Sequence, residues 1–273
     1  MPVQTSIQLF TVREALESDL EGTLAELASR GFTAAEPYDF VHRAEPLAAA
    51  LKATGIAAPT GHAFLASTSF VNPDGTTTTR AVPAPEAVFD AAETLGMTTV
   101  IEPYTDPTLW QSREQIADIA QQLNAAAELG AARGIRVGYH NHAHELEATF
   151  DGKTGLELLA DLLDERVVLE IDLYWAARAG VDSPALLRTL GDRVIAVHVK
   201  DGTLEAEAVA AYPPADQVPA GQGVVPLAEA IAAAPALEVA IVEFDHFTGG
   251  DLFDAVEQSR VFLDETLSEK AAV

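Results

Sequence analysis

Gly138-Tyr139-His140-Asn141-His142-Ala143-His144-Glu145 carries three of the chain's seven histidines and a glutamate across the point where an apolar strand gives way to a loop. Successive side chains of an extended strand alternate faces, so His140 and His142 project together while Tyr139 and Asn141 turn away. Ionisable groups at the end of a buried strand need partners, because an unpaired charge is costly to bury. The same run is compatible with a solvated loop, and the neighbouring strands decide between the two.

The pattern recurs in the next three apolar runs. Val167-Val168-Leu169-Glu170-Ile171-Asp172 places Glu170 and Asp172 on one face, the run over 193–199 brings His198 and Lys200 together, and Ala240-Ile241-Val242-Glu243-Phe244-Asp245 pairs Glu243 with Asp245. Inner faces of barrel strands are apolar, so polar residues repeating at period two toward four successive carboxyl ends mark a site. One from each strand gives His140, Asp172, His198 and Glu243, two imidazoles and two carboxylates whose charge a divalent ion would neutralise. At any one position the alternative is a buried ion pair or a loop residue; all four together point to metal. Mixed nitrogen and oxygen donors suit Mn, Co, Zn, Fe or Ni better than Ca or Mg. The expected cofactor is one divalent ion, with Mn, Co, Zn, Fe and Mg as candidates.

Outward from these strands, short β-rich runs alternate with longer alanine-rich amphipathic runs, the pattern of parallel strands joined by crossover helices. Strands are expected at 4–10, 33–36, 56–62, 98–102, 135–140, 167–172, 193–199 and 238–243. Helices are expected near 15–29, 43–53, 85–95, 111–133, 154–163, 183–191, 226–233 and 250–267. Eight such pairs make an α/β fold, a single (β/α)8 TIM barrel over residues 1–273. Ser183-Pro184 reads as an N-cap with proline at the first helical position, and Gly130 and Gly134 as the end of the fourth helix. Phe10-Thr11-Val12-Arg13-Glu14 follows the first strand where a dinucleotide-binding fold would have a glycine-rich turn. Two insertions, 63–84 and 202–223, follow strands and so belong to the catalytic face of a barrel.

The formal charge of −26 opposes attraction to nucleic acid or an anionic membrane surface. Cysteine is absent, which fits a reducing interior, and the start MPVQTSIQLF has neither a basic region nor a long apolar run. The expectation is a cytoplasmic protein without nucleic-acid or membrane partners; assembly into a homo-oligomer is left open.

Taken in order, Gln8-Leu9-Phe10-Thr11-Val12-Arg13, GYHNH at 138–142, the D-x-x-W element at Asp172 to Trp175, HVKD at 198–201, Gly221 and Gly223, and Glu243 to Asp245 resemble the sugar phosphate isomerase/epimerase family with the xylose isomerase-like TIM barrel. In ketose epimerases the resemblance implies a metal held by Glu, Asp, His and Glu from the fifth to eighth strands. The last three fall on Asp172, His198 and Glu243, and the first on or next to His140, where this chain has no glutamate. Metal-bound glutamates of those epimerases exchange the carbon-bound proton, which makes Glu243 a catalytic candidate. Myo-inosose dehydratase and the lyases of 3-keto-glycosides are similar in having a histidine-rich fifth strand.

A divalent ion chelated by a carbonyl and adjacent hydroxyl acidifies the neighbouring C–H and stabilises the resulting enediolate. Reprotonation gives epimerisation or isomerisation; expulsion of a β-substituent gives dehydration or lysis. The acid–base candidates are Glu145, three residues past His142, and Lys200, whose ammonium a nearby cation would push toward neutrality. A salt bridge from Lys200 to Asp201, Glu170 or Asp245 is the competing reading. Glu36, His62, His142 and Trp175 are expected to bind substrate, with Phe64 and Phe247 as further apolar walls; Glu102 reads as an ordinary loop residue, Asn141 as orienting a loop, and Arg13 as pairing with Glu36 or Glu14 or meeting an anionic substrate. The expected activity is a divalent-metal-dependent sugar isomerase or epimerase acting on an unphosphorylated keto-sugar. The alternatives are a metal-dependent dehydratase or carbon–oxygen lyase on an inosose or 3-keto-glycoside, and a catalytically silent sugar-binding barrel.

Overall fold

The computed structural model describes residues 2–67, 69–71, 77–79, 82–205 and 213–272. Eight parallel strands form one sheet: β1 (Gln4–Gln8), β2 (Ala35–Glu36), β3 (Thr60–His62), β4 (Thr99–Glu102), β5 (Arg136–His140), β6 (Val167–Asp172), β7 (Val194–Val199) and β8 (Val239–Val242). Their order, β2-β1-β8-β7-β6-β5-β4-β3, leaves β2 and β3 at the two ends. Parallel bridges Ala34 to Ala57 and Tyr38 to His62 join those ends, with His62 N–H donating to Pro37 O at 2.8 Å. The sheet thereby closes into the expected barrel.

The helices after successive strands are α1 (Leu20–Ser29), α2 (Ala44–Thr54), α3 (Pro85–Leu95), α4 (Arg113–Ala131), α5 (Gly155–Leu162), α6 (Ser183–Leu190), α7 (Leu227–Ala233) and α8 (Leu252–Ala272). Local chemistry sets their ends. Thr154 and Glu157 form a reciprocal capping box before α5, and Gly55 and Gly96 end α2 and α3 in the left-handed conformation. Two sequence expectations shift. The cap of α6 is Asp182, which accepts from Ala185 N–H, so Ser183 and Pro184 are already helical. Gly130 lies inside α4, where a Cβ would come within 2.7 Å of Ile135 O; it permits the chain to fold back closely, while Gly134 takes the turn at φ +73°. No helix among the described residues is long and apolar enough to cross a membrane.

Strands buried on both faces read as near-continuous apolar runs, and β6 and β7 are buried at every position. Outward-facing residues such as Val137, Leu169 and Val197 join the main core against the helices, while Val168, Ile195, Ala196, Val239 and Ile241 form a separate cluster. By strand parity this second cluster plugs the barrel beneath its polar end. Between β6 and β7 the register shifts: Leu169 faces Val194, but Glu170 faces Ala196 and Asp172 faces His198.

Both insertions follow the carboxyl ends of strands. Within 63–84, Ser69–Val71 pairs antiparallel with Thr77–Thr79; residues 68, 72–76 and 80–81 lie outside the described residues, as do 206–212 of the second insertion. Its return leg, Gln217–Val218, pairs with Asp201–Gly202 directly after β7. The Asp201 carboxylate holds this segment by accepting from the N–H groups of Gly202 (2.9 Å), Val225 (3.1 Å), Gly221 (2.9 Å) and Gly223 (2.9 Å). Gly221 and Gly223 therefore close over Asp201 rather than over a ligand, and a Cβ at Gly223 would stand 2.2 Å from Asp201 Oδ1. Asp201 makes no ion pair with Lys200 among the described residues. Replacing Asp201 by Ala strands four backbone donors, and we expect a loss of about 3 kcal/mol of stability. The urea midpoint measures it; an unchanged midpoint would show that the loop is anchored elsewhere.

Candidate metal centre

Each barrel strand except β4 delivers an inward polar side chain to a single cluster at its carboxyl end. Gln8 from β1 donates through Nε2 to Glu36 Oε1 at 2.8 Å. Glu36 Oε1, from β2, is also 2.8 Å from His198 Nε2 and 3.1 Å from His62 Nε2. Glu170 Oε1 is approached by His62 Nε2 at 2.8 Å, His198 Nε2 at 2.9 Å and His140 Nδ1 at 3.0 Å. The other ring nitrogen of His198, Nδ1, is 2.6 Å from Glu243 Oε2, and His140 Nε2 is 3.8 Å from Asp172 Oδ2. Lys200 Nζ bridges Asp172 Oδ2 (3.0 Å), Glu243 Oε2 (2.7 Å) and both oxygens of Asp245 (3.0 Å each).

Burial raises the cost of each charge, and the partners decide which survive. Desolvation pulls His198 down, but Glu170 and Glu243 outweigh it and hold the imidazole well above its ordinary range; His62, between Glu36 and Glu170, rises to about 9. His140 goes the other way, kept neutral by burial and by His198, even though Glu170 lies within hydrogen-bond reach. Asp172 is raised to about 6 by burial, with Lys200 and His198 opposing. Three carboxylates hold the Lys200 ammonium charged, above its ordinary range, opposite to the shift that a neighbouring cation would give. Of the partners expected for it, the lysine takes Asp245.

Asp245 is itself clamped. Gln217 Nε2 donates to Asp245 Oδ2 at 2.7 Å, and Gln217 Oε1 accepts from Asp245 N–H at 2.8 Å and His246 N–H at 3.2 Å. Asn141 orients the next strand by accepting from Asp172 N–H at 3.0 Å. Glu102 is a fully buried pin, not an ordinary loop residue: its Oε2 accepts from Leu65 and Ala66 N–H at 2.6 Å each, fixing the segment after β3.

A cavity of about 410 Å³ opens over the cluster. Its lining includes the polar His62, His140, His142, Lys200, Glu243 and Asp245 and the apolar or aromatic Phe10, Tyr38, Val41, Phe64, Pro83 and Tyr104; no arginine is among its lining residues. His142 Nδ1 is buried there without a hydrogen-bond partner, and burial and Lys200 keep its imidazole neutral. Three residues expected at the substrate stand off this wall. Glu36 lies beneath His62 and His198 and is fully buried. Trp175 is 3% exposed, with its ring behind that of His142 at 5.2 Å. Glu145 belongs to the far side of β5, because the single helical turn His144–Glu147 carries it round to Tyr139, whose hydroxyl donates to it at 2.9 Å; its other oxygen accepts from His142 N–H at 2.8 Å. Arg13 meets neither Glu36 nor Glu14 but donates to Phe10 O and Asp245 O, and Phe247 packs on Phe244 outside the cavity lining.

These donors fit a divalent ion. Ligand atoms of Asp172, His198 and Glu243 lie within 4.8 Å of one another, as do those of His62, His140, Glu170 and His198. Among these carboxylates, Glu170 Oε2 is buried without a hydrogen bond, and Asp172 Oδ2 has none beyond its ion pair with Lys200. The sequence favours Asp172 over Glu170 as a ligand, gives Gln8 no role beyond the motif that carries the resemblance, and does not mark Gln217. The parity that singled out the later strands also applies to Gln8, at the end of β1; nothing local marks Gln217.

No curated protein matches the chain. Its shape is similar to a solved structure named as a sugar phosphate isomerase/epimerase from Parabacteroides distasonis, at 17% identity over 96% of each chain with a TM-score of 0.75. It is also similar to an L-ribulose 3-epimerase (16% identity, 99% of this chain and 96% of that one, TM-score 0.67). A probable 3-DHS dehydratase from Bacillus anthracis matches at 15% identity over 96% of this chain and 99% of that one, with a TM-score of 0.66. At such identities the likeness shows the fold alone. The sequence model of the xylose isomerase-like TIM barrel family matches residues 24–263, and the chain belongs to that family.

Proposed function

We propose that the protein is a divalent-metal-dependent isomerase or epimerase of an unphosphorylated keto-sugar. The observation that carries this reading is the convergence of Asp172 and His198 on Glu243, which lines a cavity together with the neutral, unpartnered imidazole of His142. Asp172, His198 and Glu243 would hold the ion, with His140 the expected fourth ligand, and the bound ion supplies Lewis acidity that makes the C–H beside a carbonyl removable. His142 takes up and returns that proton at Nδ1, its ring held by Tyr104 and Trp175 and its backbone N–H by Glu145. Lys200, charged and fixed by Asp245, donates to a substrate oxygen. Glu145, expected as an acid or base, is better placed to set the loop that presents His142. A phosphate clamp would want basic side chains, and the wall offers one lysine and no arginine.

A second reading, a dehydratase or carbon–oxygen lyase on a keto-sugar, is favoured by the histidine at position 140 where the ketose epimerases carry a glutamate, and by the apolar part of the cavity lining, which suits a leaving group with an apolar face. Stripping the protein with chelator, restoring Mn, Co, Zn, Fe or Mg singly and following keto-sugars by NMR in deuterated water separates the two. Deuterium at carbon with the skeleton retained supports the isomerase or epimerase; loss of water or an aglycone supports the lyase. No exchange with any metal overturns both.

The ligand set also fixes a pH dependence. His198 is protonated at neutral pH because its pKa is raised, so an entering ion must displace that proton, and affinity rises as pH rises toward that pKa. Between pH 6.5 and 8 the gain should be about tenfold per pH unit for one proton released. Below about 6 Asp172 protonates as well, and the slope steepens. Calorimetric titration of Mn or Zn across this range measures it, and a flat profile would remove His198 from the ligands.

A further inference from the structure

Lys200 is held by two kinds of partner. Its Nζ hydrogen-bonds to both carboxylate oxygens of Asp245 at 3.0 Å, and it also lies 3.0 Å from Asp172 Oδ2 and 2.7 Å from Glu243 Oε2. Toward Asp172 the attraction is one of charge alone, because Oδ2 receives no hydrogen bond although the ammonium is beside it. Glu243 Oε2 is shared with His198 Nδ1 at 2.6 Å. The oxygens available to a divalent ion are therefore those the ammonium now touches, and two cations repel each other on the same pair of oxygens. An entering ion has to displace Lys200. Among the described residues, Asp245 is its one ion-pair partner outside the ligand set.

Asp245 is held ready to keep the ammonium. Gln217, itself buried, turns both ends of its amide to this residue: Nε2 donates to Oδ2 at 2.7 Å, and Oε1 accepts from the Asp245 N–H at 2.8 Å. Oε1 also takes the His246 N–H at 3.2 Å, so a reversed amide would set its own NH2 against two donors. The backbone of Gln217 is fixed in turn, paired with Gly202 two residues after Lys200, while the neighbouring Asp216 accepts from the Tyr174 hydroxyl at 2.7 Å. One short ribbon thus ties Lys200 to Asp245. We propose that Gln217 is a positioning residue, which fixes Asp245 as the seat into which the Lys200 ammonium withdraws when a divalent ion takes Asp172 and Glu243. This rests on the reading that those two residues and His198 hold the ion. The withdrawn ammonium stays on the cavity lining, with two of its three donors on Asp245 and one free for a substrate oxygen. The second insertion then governs how readily the centre fills, although Gln217 itself ligates nothing.

Metal affinity tests this without reference to activity. Chelator-stripped protein is titrated with Mn(II) by calorimetry. Gln217→Leu, similar in size but without either hydrogen bond, is expected to weaken binding about tenfold. Lys200→Met, which removes the competing cation, is expected to tighten it. Combined with Lys200→Met, Gln217→Leu should have no effect, because the group it positions is gone. A merely structural Gln217 gives the same loss in both backgrounds; that result, or no loss in either, overturns the proposal and leaves the functional reading standing. Wild-type binding that is absent, or indifferent to Asp172→Asn, takes down both. A crystal structure of the Mn(II)-loaded wild type keeps the test independent of any variant's folding. Lys200 Nζ is expected on Asp245 alone, and an Nζ still within hydrogen-bond distance of Asp172 or Glu243 overturns the proposal.

Discussion

Burying carboxylates at the end of a barrel is the constraint on which the rest of the molecule depends. Glu36, Glu170 and Asp172 are wholly removed from solvent and Glu243 nearly so, within one connected cluster. Each would cost several kcal/mol if left uncompensated. Imidazoles and one ammonium compensate them in this structure, and the same need makes the cluster receptive to cations of higher charge. The barrel supplies the enclosure: an apolar plug of Val168, Ile195, Ala196, Val239 and Ile241 below, and a cavity lined in part by Phe10, Tyr38, Phe64 and Tyr104 above. The acidic groups are thus held together by a frame that would otherwise expel them.

The loops that shape the cavity are held by buried polar side chains as well as by packing against the core. Asp201 gathers four N–H groups, Glu102 pins Leu65 and Ala66, and Gln217 reaches from the second insertion to fix Asp245 and through it Lys200. Both insertions therefore report to the same end of the barrel. Fixing an element with one charged acceptor serving several donors is economical in residues, and it makes each acceptor hard to replace.

The strand ends were legible in the sequence because parity is a local rule. His140, Asp172, His198, Glu243 and Lys200 could be placed on one face by counting in twos, and Glu36 and His62 by their positions at strand ends; the structure gathers all seven. Depth was not legible. Glu170 and Asp172 share a face, and only three-dimensional packing shows that the former lies among three imidazoles and the latter beside Lys200. Glu145 lies on the Tyr139 side of β5, because proximity in sequence to His142 says nothing about which side of a strand a helical turn will take. Glu36 and Trp175 were drawn toward the substrate by their chemistry, but neighbouring rings stand in front of them. Gln217 left no trace, since its partner is contributed by β8 across a segment with no regular pattern.

The register shift between β6 and β7 carries a consequence for how this centre tolerates change. Leu169 faces Val194, and if β7 paired one residue for one from there, with no bulge before Ala196, the count would set Asp172 against Val197 instead of His198. Every side chain beyond that point on β7 would then exchange inside for outside, turning His198 and Lys200 toward the helices. The chemistry of the centre is thus written in phase as well as in residue type: a conservative substitution on β7 alters one contact, whereas drawing the extra residue near 195 into the regular ladder would turn an imidazole and an ammonium away together while leaving both in the sequence.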